Sequence, residues 1–448
     1  MLENMHQFQQ LQKILVQQLQ SFSLDHGLFP TKNLTVTIDS LPLLPLLKGQ
    51  TTAQPKNCCL LPTIYWQNKE QTTTLASFGA IETLEHIPKA DNNALYLGGL
   101  AFQQQGEQWS DFPATLFIRP LLVFQHIQSS SLFNQTDNTS EQWQAVFHFN
   151  GTNSVEKSIH IIQALQPPQA LSAFTQQQIK RHDSPNQTQW ASLVELAIEY
   201  KALLPKVVLS RETELTFDGL LNTWDIMALW QQANPNSFHY VFQLSQEHSF
   251  ISCSPERLYS RRQQQLTTEA LAGTVNRGRD KREDNLLLQS LLNDKKIDRE
   301  NYLVQEFIIA NLKQLKAEVS FSPAHVLQLQ HVQHLCVPIT AQLTQQTKDS
   351  DLLYKLHPTP AVGGTPKLPA LQFINDNEPY NRGWYAGAVG CISEQESDFS
   401  VAIRSALVSK NNIKLFAGAG IVTGSIAEQE WQELDNKIQT ILTILGAR

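Results

Sequence analysis

Residues 415–437 constrain the fold of this chain more than any other stretch. They read LFAGAGIVTGSIAEQEWQELDNK, and bulky and small residues first alternate there with the period of a strand. Gly418 and Gly420 remove side chains from one face of that strand, so a ligand or another backbone can approach it. Ser425 and Glu428 then predict a helix N-terminus through a capping box. The stretch therefore predicts a glycine-rich strand that leads directly into a helix.

The predicted helix carries Glu430, Glu433 and Lys437 on one face. Two acids and a lysine at this spacing are typical of a solvated helix face. Next to a glycine-rich strand and a helix N-terminus, whose free N–H groups suit an anion, the same carboxylates also suit a divalent cation. Both interpretations stay open on this segment alone.

Charge and cysteine content narrow the class of partner. The 448-residue chain has a net charge of −7, which argues against nucleic acid and anionic membranes as main partners. Its five cysteines show no zinc-binding spacing, which favours a reducing compartment. The N-terminus lacks the basic start and apolar segment of a signal peptide, and no apolar run approaches the ~18 residues of a membrane span. We expect a soluble cytoplasmic protein with a small-molecule substrate.

The first third of the chain is predicted to be mostly sheet. Short β-like runs separated by polar or Gly/Pro turns fill residues 33–150. In residues 96–102, two glycines in mid-strand indicate close backbone packing rather than chemistry. Residues 167–189 are rich in proline and glutamine, and they predict a connection between two parts of the protein.

Two polar residues stand at predicted strand ends. Lys206 opens an apolar strand directly after Pro205, where a lysine is usually exposed. Turned inward, it becomes a candidate base, because desolvation favours the neutral amine. Glu256 follows a strand that ends at Pro255, and it either contributes chemistry or pairs with Arg257 at the surface.

Two further polar residues have equally ordinary explanations. Glu300 lies in the first turn of a helix that Asp298 is predicted to cap, where it complements the helix dipole. His334 lies in a short apolar stretch, which is typical of a hydrogen-bonded core histidine. Residues 357–367 form a turn-dense loop that is too long for a simple connection. Residue types alone leave these roles open.

Several motifs, in their order and spacing, resemble those of the chorismate-utilising enzymes. They are PKVVLSR, SPERL, TEALAGT, DREN, VQHL, HPTPAVGG, RGWYAGAVG, AIRSA, FAGAGIVTGS and EQEWQELDNK. The resemblance is strong over residues 190–448 and extends more loosely to the N-terminal half through YLGGLAF.

The resemblance implies a fold and a domain organisation. We expect an α+β fold like that of anthranilate synthase component I, with two large, mainly antiparallel β-sheets packed together and helices outside. Residues 1–185 would form its β-rich N-terminal half. Residues 186–448 would form the chorismate-binding catalytic region of the same large domain.

Within this family the motifs are most similar to those of isochorismate synthases, particularly the menaquinone-pathway type. The resemblance implies a Mg²⁺-dependent, reversible isomerisation of chorismate, in which water attacks C2 and the 4-hydroxyl leaves. The water-using members carry a lysine where this chain has Lys206, whereas aminodeoxychorismate synthases carry a nucleophilic lysine where it has Ala272. Since the sequence has no candidate Cys–His pair for a glutaminase, no such subunit is expected.

Three alternatives remain on the sequence alone. A salicylate synthase would go on to eliminate pyruvate at the same site. An isochorismate synthase of a siderophore pathway would catalyse the same reaction. A non-catalytic paralogue would bind chorismate without turnover, but it would be expected to have lost catalytic residues that this chain retains.

The resemblance also implies residue roles. Lys206 would be the general base and Glu256 the general acid. Glu300 and Glu433 would bind Mg²⁺, supported by Glu430. A monomer or homodimer without a redox cofactor is expected. The substrate-binding residues would be His334, Tyr385, Arg404, Lys437, Ala272, Gly273, Thr274, Gly418, Ala419 and Gly420.

Overall fold

The chain folds into helices around an extended network of antiparallel strands. The structure is a computed structural model, and it describes residues 2–25, 33–51, 60–89, 94–105, 108–129, 140–150, 153–328 and 332–447. No helix in these ranges is both long and apolar enough to cross a membrane. The helices are α1 (Leu2–Asp25), α2 (Leu43–Thr51), α3 (Asn153–Ala164), α4 (Gln187–Glu199), α5 (Thr223–Ala233), α6 (Lys281–Asn293), α7 (Lys295–Gln314), α8 (Asp349–Leu356), α9 (Lys367–Asn377) and α10 (Ala427–Ile444).

The strands occur throughout the described ranges. They are β1 (Asn33–Thr37), β2 (Thr63–Gln67), β3 (Thr73–Leu84), β4 (Tyr96–Leu100), β5 (Thr115–Ser129), β6 (Ser140–His148), β7 (Gln178–Ser184), β8 (Lys206–Phe217), β9 (Phe238–Gln243), β10 (His248–Ser254), β11 (Arg257–Arg262), β12 (Gln265–Asn276), β13 (Glu318–Phe321), β14 (His325–Gln328), β15 (Val332–Gln342), β16 (Gly364–Thr365), β17 (Ala388–Ile392), β18 (Glu396–Val401), β19 (Ser405–Ser409) and β20 (Asn412–Val422).

The strand network divides at the long strand β5 into two large branches. One branch has the order β5-β3-β2-β9-β10-β19-β20-β8-β7. The other has the order β5-β4-β17-β18-β11-β12-β15. Every one of these pairings is antiparallel, so the prediction of an α+β fold with two mainly antiparallel sheets is confirmed.

Aromatic side chains fill part of the space between the two branches. Trp384, just before β17, is fully buried. Its ring centroid lies 5.5 Å from that of Phe242 on β9 and 5.9 Å from that of Phe250 on β10. These edge-on contacts bury large apolar area. The sheets are therefore joined through side chains as well as through β5.

Two predicted helix starts are wrong, that of α10 by one residue and that of α7 by four. The Ser425 hydroxyl accepts the Val422 N–H instead of capping α10, which begins at Ala427. The α7 helix begins at Lys295, and the Asp294 carboxylate accepts the N–H of Ile297. Glu300 therefore lies beyond the first turn of α7.

The segment at residues 167–189 is part of the strand network. It contains β7, which pairs with β8 along the edge of the first branch. The prediction for the mid-strand glycines of β4 is confirmed. A Cβ atom on Gly98 would lie 2.0 Å from the Leu116 carbonyl oxygen, and one on Gly99 would lie 2.4 Å from that of Ala388.

Candidate active site

A cavity of about 320 Å³ lies where β20 and α10 face β12, α7 and the turn between β10 and β11. Its volume is at the lower end of the range for small-molecule sites, roughly 300–1,000 Å³. The predicted site residues that line it are Glu256, Gly273, Glu300, His334, Tyr385, Arg404, Gly418, Gly420, Glu430, Glu433 and Lys437.

The glycines of β20 have close neighbours inside the cavity. A Cβ atom on Gly418 would lie 2.8 Å from the Tyr385 hydroxyl, and one on Gly420 would lie 3.2 Å from a Glu300 oxygen. The Lys437 ammonium donates to the Gly418 carbonyl over 2.6 Å and pairs with Glu433, also over 2.6 Å. The glycine-rich strand and the polar face of α10 therefore form one wall.

Lys206 is fully buried, so the exposed interpretation of this residue is wrong. It opens β8 and pairs with Val422 of β20 and Thr365 of β16. Its ammonium donates to a Glu300 carboxylate oxygen over 2.8 Å. Lys206 is not itself part of the cavity lining, but it contacts the lining through Glu300 and lies beneath Gly420.

Glu256 is buried at the cavity in the turn between β10 and β11. Its N–H donates to the Ser254 hydroxyl, and its carbonyl accepts the Val401 N–H. Arg257 pairs instead with Glu70 and Asp398, at 2.7 and 3.1 Å, so a surface ion pair between Glu256 and Arg257 is excluded.

The Glu256 carboxyl group is held in its neutral form. Burial is the largest cause that raises its pKa, and the Glu269 carboxylate adds to it, giving a value of about 8. The lysines Lys69, Lys206 and Lys437 act in the opposite direction. A carboxyl group with this pKa is protonated at neutral pH and can donate a proton.

Arg404 supplies a positive charge to the cavity. Within the described ranges its guanidinium makes no hydrogen bond or ion pair. It interacts electrostatically with Tyr385, Glu433 and Glu256. Burial lowers its pKa. A guanidinium in this situation matches a carboxylate through two parallel hydrogen bonds.

His334 and Tyr385 stand near this arginine. Burial, followed by the charges of Arg404 and Lys437, lowers the pKa of His334 to about 3, so its imidazole is neutral. Burial raises the pKa of the Tyr385 hydroxyl. The ring of Tyr385 stacks on Phe416 at a centroid distance of 5.1 Å. Both residues therefore offer neutral, oriented polar groups.

The carboxylates proposed to bind metal come from two helices. Glu300 belongs to α7, and Glu430 and Glu433 belong to α10. All three line the cavity. Among the residues that the structure describes, however, no three His, Cys, Asp or Glu side chains are grouped closely enough to hold a metal ion by themselves.

The remaining predicted residues differ in what they contribute. Gly273 lines the cavity in the left-handed region (φ +83°), and a Cβ there would lie 2.3 Å from Ile297. The backbones of Ala272 and Thr274 belong to β12, but their side chains lie outside the described part of the structure. The Ala419 side chain is fully buried in the core rather than in the cavity lining.

The family of the chain follows from a match over most of its length. The family model of chorismate binding enzymes matches residues 85–446, which include every residue of this cavity. The chain belongs to the chorismate-binding enzymes.

Two curated relatives resemble the chain, one over most of its length and the other more closely over a shorter stretch. The protein is 31% identical to isochorismate synthase MenF of Haemophilus influenzae over 420 residues, which cover 92% of this chain and 91% of that protein. It is 44% identical to isochorismate synthase MenF of Escherichia coli over 263 residues, which cover 58% of this chain and 61% of that protein.

Two solved structures have the same architecture. That of MenF, the menaquinone-specific isochorismate synthase from Escherichia coli, has a TM-score of 0.83 at 31% identity and covers 96% of this chain and 99% of its own. That of anthranilate synthase component I from Streptococcus pneumoniae has a TM-score of 0.60 at 18% identity and covers 92% of this chain and 93% of its own. The second likeness establishes the common fold.

Sequence reasoning missed an ion pair beside Glu256. Lys69, in the turn between β2 and β3, pairs with Glu269 of β12 over 2.7 Å. Glu269 also accepts the N–H of Arg257, over 2.9 Å. Its place in the TEALAGT motif was an available signal for Glu269, whereas nothing in the local sequence marks Lys69.

Proposed function

We propose that the protein is an isochorismate synthase that converts chorismate reversibly into isochorismate for menaquinone biosynthesis. One observation carries the proposal within this family. A protonated carboxyl group, Glu256, faces the same cavity as Glu300, which holds the buried Lys206. A proton donor and a lysine amine at one site suit a reaction that loses a hydroxyl group and adds water.

The proposed reaction balances with one base and one acid. Lys206, as the free amine, takes a proton from water while the water oxygen bonds to C2 of the ring. The ring double bonds shift, the bond between C4 and its hydroxyl oxygen breaks, and Glu256 protonates the departing hydroxyl. Lys206 must leave its ion pair with Glu300 to act in this way. In the reverse direction the Glu256 carboxylate takes a proton from water and the Lys206 ammonium protonates the departing hydroxyl, so the reaction is reversible.

The substrate carboxylates have matching partners in the cavity. We assign one carboxylate of chorismate to Arg404, with Tyr385 and the backbone of Gly418 and Gly420 beside it. Lys437 adds positive charge on the same wall. His334, which is neutral, would orient the leaving-group side of the ring through a hydrogen bond. The backbone of Ala272, Gly273, Thr274 and Ala419 completes the proposed contact set.

The chemistry of the donors fits a Mg²⁺ ion. Glu300 and Glu433, with Glu430 in support, present carboxylates to one cavity, and carboxylate oxygens are the ligands that this cation prefers. Lys206 and Lys437 neutralise Glu300 and Glu433 in the structure. A carboxylate of the substrate would complete the ligand set. When bound, the ion would offset negative charge on the substrate.

The remaining parts of the proposal concern the protein as a whole. We propose one structural domain in which residues 1–185 and 186–448 are halves, a cytoplasmic location, and a monomer or homodimer that works without a glutaminase subunit. The strand pairing between β2 and β9 and between β4 and β17 supports the single domain, since it links the two halves.

Product analysis tests the proposal directly. The protein is incubated with chorismate and Mg²⁺, and the products are separated by chromatography while pyruvate is followed in a coupled assay. Isochorismate at equilibrium with chorismate, without pyruvate, is the expected result. Stoichiometric pyruvate would instead indicate a salicylate synthase, and chorismate binding without turnover would indicate a non-catalytic paralogue.

A further inference from the structure

A turn from the N-terminal half contacts residues that lie next to the proposed acid, Glu256. Lys69, between β2 and β3, contacts Glu269 of β12 over 2.7 Å, and the two side chains are only 13% and 15% exposed. The next residue, Glu70, binds the Arg257 guanidinium through two hydrogen bonds of 2.8 and 2.7 Å. Glu70 therefore contacts the residue that follows Glu256 directly, and Lys69 contacts it through Glu269, which accepts the Arg257 N–H.

Glu269 connects this turn to the backbone of the acid. One oxygen of its carboxylate accepts hydrogen bonds from both the Lys69 ammonium and the N–H of Arg257, the latter over 2.9 Å. Residues two apart on a strand share a face. Glu269 thus shares its face of β12 with Leu271, which lines the cavity.

Among the described residues, charged or titratable groups from six elements interact electrostatically with Glu256. Burial is the largest cause of the raised Glu256 pKa, and Glu269 raises it further, while the three lysines lower it. The Cys336 thiol has its pKa raised to about 12 by burial and is therefore neutral. The six groups are Glu269 on β12, Lys69 in the β2–β3 turn, Lys206 on β8, Lys437 on α10, Arg404 before β19 and Cys336 on β15.

We propose that Glu269, oriented by Lys69, is a positioning residue for Glu256: it holds the Arg257 backbone and presents a negative charge to the Glu256 carboxyl group. The inference rests on the proposed role of Glu256 as general acid. A pair that only joined the two halves would affect stability but not the protonation of the acid. The two members of the ion pair have opposite charges, so removing each one alone distinguishes these roles.

The experiment measures kcat/KM for chorismate between pH 6 and 10, a window chosen around the Glu256 pKa of about 8. Glu269→Gln keeps an oxygen for the Arg257 N–H but removes the negative charge. Its basic limb should move to lower pH by about one pH unit, the size of effect expected from a nearby charge. Lys69→Met leaves Glu269 negative and uncompensated, so its basic limb should move to higher pH.

A matched control breaks another buried lysine–carboxylate pair. Lys48 contacts Asp225 over 2.9 Å with side chains 9% and 11% exposed, and Lys48→Met should leave the basic limb in place. The proposal would be overturned if the basic limb stayed at the wild-type pH in both Glu269→Gln and Lys69→Met. It would also be overturned if the basic limb moved in the same direction in both variants.

A measurement without turnover separates this inference from the proposed function. Carboxyl resonances of ¹³C-labelled glutamate are titrated by NMR, and Glu256 is assigned from the resonance missing in Glu256→Gln. An inactive wild-type protein would refute the proposed function, yet opposite shifts of this titration in the two variants would still support the positioning role. An unchanged Glu256 titration would refute that role even in an active enzyme. Lys69→Met alone decides the outcome if Glu269→Gln does not fold.

Discussion

Replacing Glu256 with glutamine should stabilise the folded protein, and the gain should grow with pH. The Glu256 pKa is about 8 in the fold, against an ordinary value of 4.5. Between these values the unfolded chain has lost the proton that the folded protein retains. The free energy of unfolding is therefore not reduced by Glu256 below pH 4.5, and it falls as the pH rises towards 8. Because glutamine does not titrate in this range, the Glu256→Gln variant does not lose stability in this way.

The size of the gain follows from the pKa difference. A difference of about 3.5 pH units, at about 1.4 kcal/mol per unit, corresponds to about 5 kcal/mol once the pH is above 8. At pH 7 the gain should be about 3 kcal/mol, and at pH 5 about 1 kcal/mol. Any change in packing caused by the amide adds the same amount at every pH, so the slope is the diagnostic quantity.

Urea unfolding of wild type and Glu256→Gln, followed by tryptophan fluorescence from pH 5 to 9, measures this slope. The control is Glu396→Gln, since the Glu396 side chain is 55% exposed and its replacement should give a pH-independent difference. A Glu256→Gln difference that is equally flat would mean that Glu256 ionises in the fold as it does in the unfolded chain. The assignment of Glu256 as general acid would then fail.

Three further variants test the other proposed roles. Lys206→Ala should lower kcat by roughly 10²–10⁴-fold with little change in chorismate binding, the range typical of a lost general base; near-wild-type kcat would remove Lys206 from the mechanism. Glu433→Gln should weaken Mg²⁺ binding, so raising the Mg²⁺ concentration should recover part of its activity, and a defect insensitive to Mg²⁺ would argue against a metal-binding role. Arg404→Lys should raise the dissociation constant for chorismate by roughly tenfold or more in equilibrium titrations, because one point charge replaces a two-pronged contact; unchanged binding would exclude the carboxylate contact.

Local patterns predicted the strand and the helix that form the wall of β20 and α10, but they left open whether the carboxylates on that helix belong to a site. The period of the strand and the spacing on the helix put Gly418 and Gly420, with Glu430, Glu433 and Lys437, on faces that meet at the cavity. The helix start was less predictable, because the Ser425 hydroxyl has the Val422 N–H within reach and satisfies that group instead. Short polar side chains compete in this way for nearby backbone groups.

The burial of Lys206 could not be predicted from its own segment. A lysine after Pro205 is normally exposed, and what buries this one is pairing with β16 and β20 and a carboxylate on α7. The ion pair between Lys69 and Glu269 joins residues 200 positions apart. Contacts of this kind depend on strand order in the sheet, which no periodicity encodes. The family resemblance supplied Lys206, but neither member of the second pair.

The position of β20 in its branch has a consequence for how the protein is made. This strand is synthesised long after β8, yet it lies between β19 and β8 and pairs with β8 over eleven residues. Until it emerges, the nascent chain presents a long unpaired edge of β8, which is a template for strands of other chains. Premature termination before Asn412 would therefore yield an aggregating product rather than a weakened enzyme.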